Sequence, residues 1–283
     1  MLSNVFRALR WQQMLQPMGL RLPFLNSISA IMVAYLTNLV IPRAGEIARA
    51  TSISGTSDIS FEKALGTVVL DRILDMICLL IIAILTLAMA SDLIFAYFDQ
   101  HFDLQKRWRG MNQGKALLFL ILTFGLLIFA FFVISRTAWY NLKLKARINL
   151  FVSGLWEGLS SIKNIEKPTT FLFYTVAIWF LYFFMAFILF KALDSTAHLG
   201  PVAGLVVFFF GSLGIVFPSP GGMGSYHFLA IESLSLYNVD ARNAFTYANL
   251  SFFTIQVFTI ITFGIAGLIV LASGKSKKTR ASV

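Results

Sequence analysis

Three ionisable residues lie inside an apolar segment that is long enough to cross a bilayer. Asp71, Arg72 and Asp75 fall within the run Ala64–Ala90, where each charge costs on the order of a few kcal/mol. Asp71 and Asp75 are four residues apart and share a helix face, while Arg72 can pair with Asp75 three residues on. Such a group can gate a pathway or relay protons. The alternative is a structural ion pair, either inside the protein or near the headgroups.

A Gly/Pro break precedes this helix and carries further charges. It reads Pro-Arg-Ala-Gly-Glu from Pro42 to Glu46, and Arg49 follows three residues later. Arginine binds phosphate through two parallel hydrogen bonds and stays charged when partly desolvated. We therefore predict a phosphate site, with Glu46 paired to Arg49. The alternative is a surface loop whose arginines touch bulk headgroups. The substrate-binding residues expected here are Arg43, Gly45, Glu46 and Arg49.

A second break lies at the matching position of the second half and is almost free of charge. It follows the apolar stretch Val206–Phe217, as the first break follows Ile31–Ile41. Its glycines permit positive φ or a close approach of the backbone to a ligand. Breaks at matching positions of two halves indicate a substrate site between repeats. The substrate-binding residues expected here are Pro218, Pro220, Gly221, Gly222 and Gly224.

Several polar residues follow or precede the breaks within apolar surroundings. A structural role is the favoured interpretation of His227, and a gating or proton-relay role for His227 and Glu232 is the alternative. Asn249 and Gln256 are seven residues apart and share a helix face. Because amides in membranes commonly bond a neighbouring helix, these two and Asn38 are expected to make polar contacts between helices.

The composition is that of a polytopic helical membrane protein. Of the 283 residues, 58% are hydrophobic and 13% are charged, and the mean hydropathy is +0.78, whereas a soluble domain carries about 25% charged residues. The net charge of +10 indicates orientation signals and lipid contacts rather than nucleic-acid binding, because the basic residues cluster in short loops and at the C-terminus.

The sequence contains no nucleotide-binding motif and no metal-ligand spacing, so no cofactor and no metal are expected. The single cysteine, Cys78, is expected to pack within a helix.

Six apolar segments determine the predicted architecture. Four reach the roughly 20 residues that a span needs: Ala64–Ala90, Ala116–Ser135, Thr170–Leu193 and Ala244–Ala272. Two shorter ones, Leu25–Ile41 and Pro201–Phe217, end at the breaks. We predict that each short segment enters the membrane and returns on the same side, with six plain spans as the alternative. The fold class is then an all-α polytopic membrane protein built as an inverted repeat of a re-entrant hairpin plus spanning helices.

The predicted domain covers residues 1–274, with pseudo-repeats of about 22–135 and 168–274 and a basic tail at 275–283. Lysine and arginine are abundant at the N-terminus, in the central loop 136–167 and in the tail, but absent from Asp194–Leu199. The re-entrant arrangement places all three basic regions, and hence the C-terminus, on the cytoplasmic side of the inner membrane. Lys106, Arg107 and Arg109 argue against it, because they would lie outside. Residues Met1–Arg21 are predicted to form an amphipathic helix on the membrane surface.

The two breaks and the charged helix together resemble the transmembrane region of lysylphosphatidylglycerol synthases, also called the flippase-like domain family. In the first half the resemblance rests on Asn38 ahead of P-R-x-G-E-x-x-R from Pro42 to Arg49, and then on Asp71-Arg72. In the second half it rests on P-x-P-G-G-x-G from Pro218. His227 departs from the pattern, because the family commonly has an acidic residue near that position.

The resemblance extends from about Arg7 to Gly274 and includes an Arg-Trp pair, Arg10-Trp11. Family members usually carry a span ahead of that pair, so the resemblance implies a helix upstream of this chain or a late start. It also implies handling of lipid. Lipid lysylation by this chain alone is not expected, since the aminoacyl-transferring domain is absent from it.

Three functions are consistent with these observations. The leading one is a flippase-like protein that binds or moves a phosphate-bearing, anionic lipid across the cytoplasmic membrane. The alternatives are a membrane-embedded lipid-modifying enzyme and a non-transporting partner of a lipid-synthesis machinery. No nucleophile–base pair that would support the enzyme can be identified in the sequence. The expected partners are membrane lipids, with a homo-oligomer or a lipid-synthesis enzyme as further candidates.

Overall fold

The structure, a computed structural model, describes residues 1–55, 57, 59–101 and 142–281, with side chains except at 95–101, 142–148 and 274–281. This part of the chain is mainly helical and contains no β-strand. A π-helical segment, Phe252–Phe258, lies between the last two helices. The α-helices are α1 Leu2–Leu15, α2 Phe24–Val40, α3 Gly45–Ser54, α4 Phe61–His101, α5 Leu142–Ser160, α6 Pro168–Ile188, α7 Pro201–Val216, α8 Ser225–Ser235, α9 Ala241–Ser251 and α10 Thr259–Ala281.

The predicted spans are confirmed where the structure describes them. Three segments among the described residues are long and apolar enough to cross a membrane: Phe61–Ile94, Pro168–Ala192 and Ala241–Ser273. The two shorter apolar helices, α2 and α7, end at the breaks as predicted. The fourth predicted span, Ala116–Ser135, lies outside the described residues, and so do Lys106, Arg107 and Arg109.

The chain divides into two compact units. One comprises Met1–Ala90 with Gly154–Val283, and the other comprises Ser91–Ser153. The second unit contains the end of α4 and the beginning of α5. All the predicted site residues belong to the first unit, which the following paragraphs describe.

Each half of the first unit contains a helix, a break and a short helix that folds back. After α2, Ile41 is extended and Pro42 cannot continue a helix. The side-chain oxygen of Asn38 accepts the backbone N–H of Gly45 at 2.7 Å, and α3 then packs against α2. In the second half α8 packs against α7. The hydroxyl of Ser225 donates to the Gly214 carbonyl at 2.6 Å. Whether the two halves form an inverted repeat of re-entrant hairpins stays a prediction.

Helix α1 is not a surface helix, and that prediction was wrong. It packs against α2 and α6, and Trp11 and Met14 are completely buried. Arg7 and Arg10, which suggested a headgroup-facing side, are only 3% and 0% exposed. The physical reason is that their charges are neutralised by acidic residues of another helix, which the amphipathic pattern of α1 alone does not reveal.

Small residues allow close packing between several helices. A Cβ on Gly267 of α10 would lie 2.9 Å from the Ser29 carbonyl of α2. A Cβ on Gly158 of α5 would lie 2.7 Å from the Gly66 Cα of α4. Such approaches are typical of helix pairs in membranes, where small residues let backbones come together. The segment Leu150–Ile162, predicted to be interfacial, thus includes a face that packs on a predicted span.

Labelling with an impermeant thiol reagent tests whether α6 spans the membrane. The probes are Asn164→Cys and Asp194→Cys, at exposed positions before and after α6, in a Cys78→Ala background that has no other thiol. We expect them to react from opposite sides of sealed vesicles. Reaction of both from one side would show that α6 does not span.

The same assay decides between re-entry and spanning for α2 and α3. The probes Arg21→Cys and Ser60→Cys lie at exposed positions before α2 and after α3. If α2 and α3 form a re-entrant hairpin, both probes react from the same side as Asn164→Cys. Reaction of Arg21→Cys and Ser60→Cys from opposite sides would establish a complete crossing instead.

Candidate functional site

A fully buried cluster of opposite charges lies where α1, α3 and α4 meet. Asp71 accepts hydrogen bonds from three arginines: from Arg7 Nη1 at 3.1 Å, Arg10 Nη2 at 2.5 Å and Arg49 Nη1 at 2.8 Å. Asp75 accepts from Arg7 Nη1 at 2.7 Å and from Arg10 Nη2 at 2.8 Å. All five side chains are at most 6% exposed. We call these residues the charge cluster.

Helical spacing explains how the charge cluster assembles. Arg7 and Arg10 are three residues apart on α1, and Asp71 and Asp75 are four apart on α4, so each pair presents one face. The carboxylates then bridge the two helices. Burial by itself would lower the pKa of the Arg7 guanidinium, but Asp75 and its other neighbours outweigh burial and hold that pKa well above its usual range. Arg7 therefore stays charged.

The third arginine is fixed by an aromatic ring as well as by a carboxylate. The Arg49 guanidinium lies 3.8 Å from the centroid of the Trp11 ring, a cation–π contact that gains strength from desolvation. Trp11 Nε1 in turn donates to Thr67 Oγ1 on α4 at 3.0 Å. The Arg-Trp pair of the sequence thus joins α1 to both α3 and α4.

A second ion pair lies beside the charge cluster and is partly exposed. Arg72 Nη2 is 2.8 Å from Glu46 Oε1, whereas Arg72 Nη1 is 4.0 Å from Asp75, at the limit of an ion pair. The predicted pairing of Glu46 with Arg49 was therefore wrong. α3 presents Glu46 to Arg72 and, one turn later, Arg49 to Asp71. Glu46 and Arg49 thus both pair with residues of α4 and not with each other at i,i+3 spacing.

The two ion-paired groups border a cavity of about 290 Å³ in the first unit. Its wall has a polar part and an apolar part. The polar part includes Arg7, Tyr35, Asn38, Arg43, Glu46, Arg72, Asp75, Trp179 and Tyr182. The apolar part includes Met76, Leu79, Val207, Phe208, Ile215 and Ile260. A concave site lined by both charged and apolar side chains suits an amphipathic ligand.

The second break also reaches the cavity, which the first break lines as well. Pro218, Gly221 and Gly222 line the wall. Gly221 has φ +58, and a Cβ there would lie 2.4 Å from a methyl carbon of Leu39 on α2. In addition, the Arg43 guanidinium donates to the Val216 carbonyl at the end of α7. The structure thus brings together the residues of the two breaks that the sequence placed far apart.

Several predicted site residues do not line this cavity. Arg49 and Asp71 are buried in the charge cluster, and Gly45 lies at the α2–α3 junction. Pro220, Gly224, His227, Glu232 and Asn249 also lie outside the cavity wall. Gln256, on the π-helical segment, does line the wall.

The residues of the second half outside the wall have identifiable surroundings. The His227 ring lies 4.6 Å from the Phe252 ring, which fits the structural interpretation. The Asn249 amide donates to the Phe245 carbonyl of its own helix at 2.9 Å. Glu232 is half-buried on α8. The gating or proton-relay role of His227 and Glu232 stays a prediction.

Sequence reasoning missed part of the site. Arg7 and Arg10 were assigned to a membrane surface, and Tyr35, Trp179 and Tyr182 were not singled out. Arg7 Nε lies within 3.4 Å of the Tyr182 hydroxyl on α6. The i,i+3 arginines of α1 opposite the i,i+4 aspartates of α4 are a signal that could have suggested the charge cluster. The aromatic residues carry no comparable signal in so apolar a chain.

The described spans, the helix–break–helix halves and the internal cavity define a multi-pass helical membrane protein. Comparison with family models identifies it more closely. The chain belongs to the lysylphosphatidylglycerol synthase TM region family, whose model matches residues 1–267, in agreement with the resemblance seen in the motifs. Comparison with the curated proteins and with the solved structures gave no significant match.

The charge cluster predicts a large and graded loss of stability on removing its carboxylates. Asp71→Asn leaves three buried arginines short of a counter-charge and should destabilise the protein by about 3 kcal/mol or more. Asp75→Asn should cost less, because Asp75 accepts from two arginines at hydrogen-bond distance. Asp194→Asn, at an exposed loop position, should stay within about 0.5 kcal/mol. The measurement is thermal unfolding in one detergent. Equal stability of Asp71→Asn and Asp194→Asn would contradict the cluster.

Proposed function

We propose that the protein binds the phosphate-bearing headgroup of a lipid in this cavity and moves the lipid between the leaflets of the cytoplasmic membrane. The observation that carries the proposal is the cavity itself, whose lining combines arginine and carboxylate side chains with apolar ones within a bundle of membrane helices. Membership of a family named for a lipid synthase supports a lipid ligand.

The charge of the wall favours an anionic headgroup. Three arginine side chains line the cavity, Arg7, Arg43 and Arg72, against two carboxylates, Glu46 and Asp75. One positive charge therefore remains uncompensated among the arginines and carboxylates of the wall. In a cavity of low dielectric constant such an excess attracts an anion strongly. Arginine forks also match phosphate oxygens in geometry.

The apolar wall and the second break would accommodate the rest of the lipid. Met76 and Leu79 extend the wall along α4, and Phe208 and Ile215 extend it along α7. These surfaces suit acyl chains, since lipid tails are as apolar as the side chains themselves. The backbone at Gly222 carries no side chain, so a headgroup can approach it closely.

The charge cluster would serve as the fixed wall against which the lipid moves. Asp71 is enclosed by three arginines, so protonating it would leave those charges uncompensated. We therefore assign Asp71 to anchoring α1 and α3. Gating would involve the partly exposed pair of Arg72 and Glu46, which is 36% and 18% exposed.

Leaflet exchange of fluorescent lipids in proteoliposomes tests the proposal. A panel of anionic, zwitterionic and cationic lipids should show faster exchange of the anionic ones than protein-free vesicles do. A covalently altered lipid would instead support a lipid-modifying enzyme. If every lipid exchanges at the protein-free rate and no lipid is altered, transport is overturned. The remaining hypothesis is then a non-transporting partner subunit.

A cavity-filling substitution tests whether this cavity is the pathway. Ser212 lines the wall on α7, so Ser212→Phe should occupy the space of a headgroup and slow exchange at least tenfold. The matched control is Ser273→Phe, the same substitution at an exposed position of α10, which should exchange lipid as the unmodified protein does. Equal rates for the two variants would place the pathway elsewhere.

Arg43 has two separable interactions. If its planar fork binds phosphate, Arg43→Lys loses a charge-assisted bond of about 1.5–3 kcal/mol, or roughly tenfold to a hundredfold in affinity. If Arg43 acts only through the Val216 carbonyl, Lys can still donate to that oxygen and should serve as well. The test is binding of an anionic lipid by Arg43→Lys beside Arg43→Ala. If both variants bind the lipid with wild-type affinity, Arg43 is not part of the binding site.

A further inference from the structure

Arg72 is more exposed than Arg7, the other arginine of the cavity wall that pairs with a carboxylate, and it has unused donors. Its side chain is 36% exposed, and its Nε has no hydrogen-bond partner among the described residues. Its Nη1 is 4.0 Å from Asp75, too far for a hydrogen bond. Arg7, by contrast, is 4% exposed and has Nη1 within reach of both aspartates of the charge cluster. Arg72 is therefore the better placed of the two to accept a new anion.

Glu46 pairs with the third nitrogen of the Arg72 guanidinium, Nη2. Its Oε1 lies 2.8 Å from Arg72 Nη2, and its Oε2 is buried without a hydrogen-bond partner among the described residues. A buried carboxylate oxygen without a partner carries a desolvation penalty. A carboxylate also presents oxygens to a guanidinium in the way that a phosphate does. Glu46 thus holds the place that one phosphate oxygen would take.

We propose that Glu46 competes with the ligand's phosphate group for Arg72, so that the Glu46–Arg72 pair and bound phosphate exclude each other. This inference rests on the proposed function and names the residues that regulate its site. The physical consequence is a moderated affinity. A cavity with an excess of arginine charge would hold a phosphate tightly, whereas a transported ligand must bind weakly enough to leave. When the phosphate group leaves, Glu46 becomes the partner of Arg72 again.

Neutralising Glu46 should therefore tighten binding rather than weaken it. In Glu46→Gln the competing bond is no longer charge-assisted, so the affinity for a phosphate group should rise roughly tenfold. The matched control is Glu157→Gln. Glu157 pairs with Lys63 at 2.7 Å, and both side chains are exposed and outside the cavity wall. Glu157→Gln should leave the affinity unchanged.

The probe is spin-labelled phosphatidylglycerol, with the protein in phosphatidylcholine nanodiscs, and the readout is the bound fraction. Binding is measured instead of movement, so failed leaflet exchange would overturn transport without touching this inference. Thermal unfolding of each variant, recorded in parallel, verifies that the folded protein is compared.

A double substitution shows whether Glu46 acts through Arg72. Arg72→Gln should weaken binding at least tenfold, and Glu46→Gln in the Arg72→Gln background should bring no further gain. An equal gain in both backgrounds would reveal a general charge effect and overturn the competition. Unchanged or weaker binding by Glu46→Gln alone would overturn it as well.

Competition with inorganic phosphate identifies the source of the phosphate group. If the ligand is a lipid, millimolar inorganic phosphate should displace little spin-labelled phosphatidylglycerol, because the acyl chains add affinity through the apolar wall. If inorganic phosphate alone shows the same order of affinities among the variants and the lipid does not bind, the competition at Arg72 is upheld. The lipid ligand of the proposed function would then be overturned.

Discussion

The compensation of two buried carboxylates determines much of the first unit's architecture. Asp71 and Asp75 lie on a helix that crosses the membrane, where an unpaired charge is expensive. Their partners come from two other helices, so α1 and α3 must both dock on α4 for the charges to be satisfied. The charge cluster therefore specifies a three-helix junction, although replacing such a group with apolar residues can stabilise a protein. The presence of the charge cluster is consistent with a role in positioning α1 and α3 on α4.

That junction also fixes the polar wall of the cavity. Arg7 and Asp75 belong both to the charge cluster and to the wall. The buried ion pairs therefore also hold these two side chains of the wall in place. Arg72 is adjacent to Asp71 in sequence yet lies outside the cluster, because successive residues of a helix point in different directions. One helix turn thus supplies a buried anchor at Asp71 and an accessible cation at Arg72.

The sequence predicted the class, the three spans that the structure describes and the positions of the breaks, because each follows from local composition and helix length. Asp71, Arg72 and Asp75 were also identifiable, since charges in an apolar run stand out. The partners of these residues were not predictable. Spacing within α3 suggested Glu46 with Arg49, whereas the folded chain pairs them with Arg72 and Asp71. Pairing across helices depends on how the helices pack, and no local period encodes that.

The contact between the first break and the end of α7 follows from the same requirement that polar groups be satisfied. The C-terminal end of a helix leaves carbonyls without intrahelical partners. Val216 carries one of these at the end of α7, and the Arg43 side chain donates to it. Arg43 adopts φ +65, a left-handed conformation that costs roughly 1–2 kcal/mol for a residue with a side chain. A cation at a helix C-terminus offsets part of that cost. Since this bond joins the first break to the end of α7, a movement that separates the breaks must break it and expose the Val216 carbonyl to the cavity.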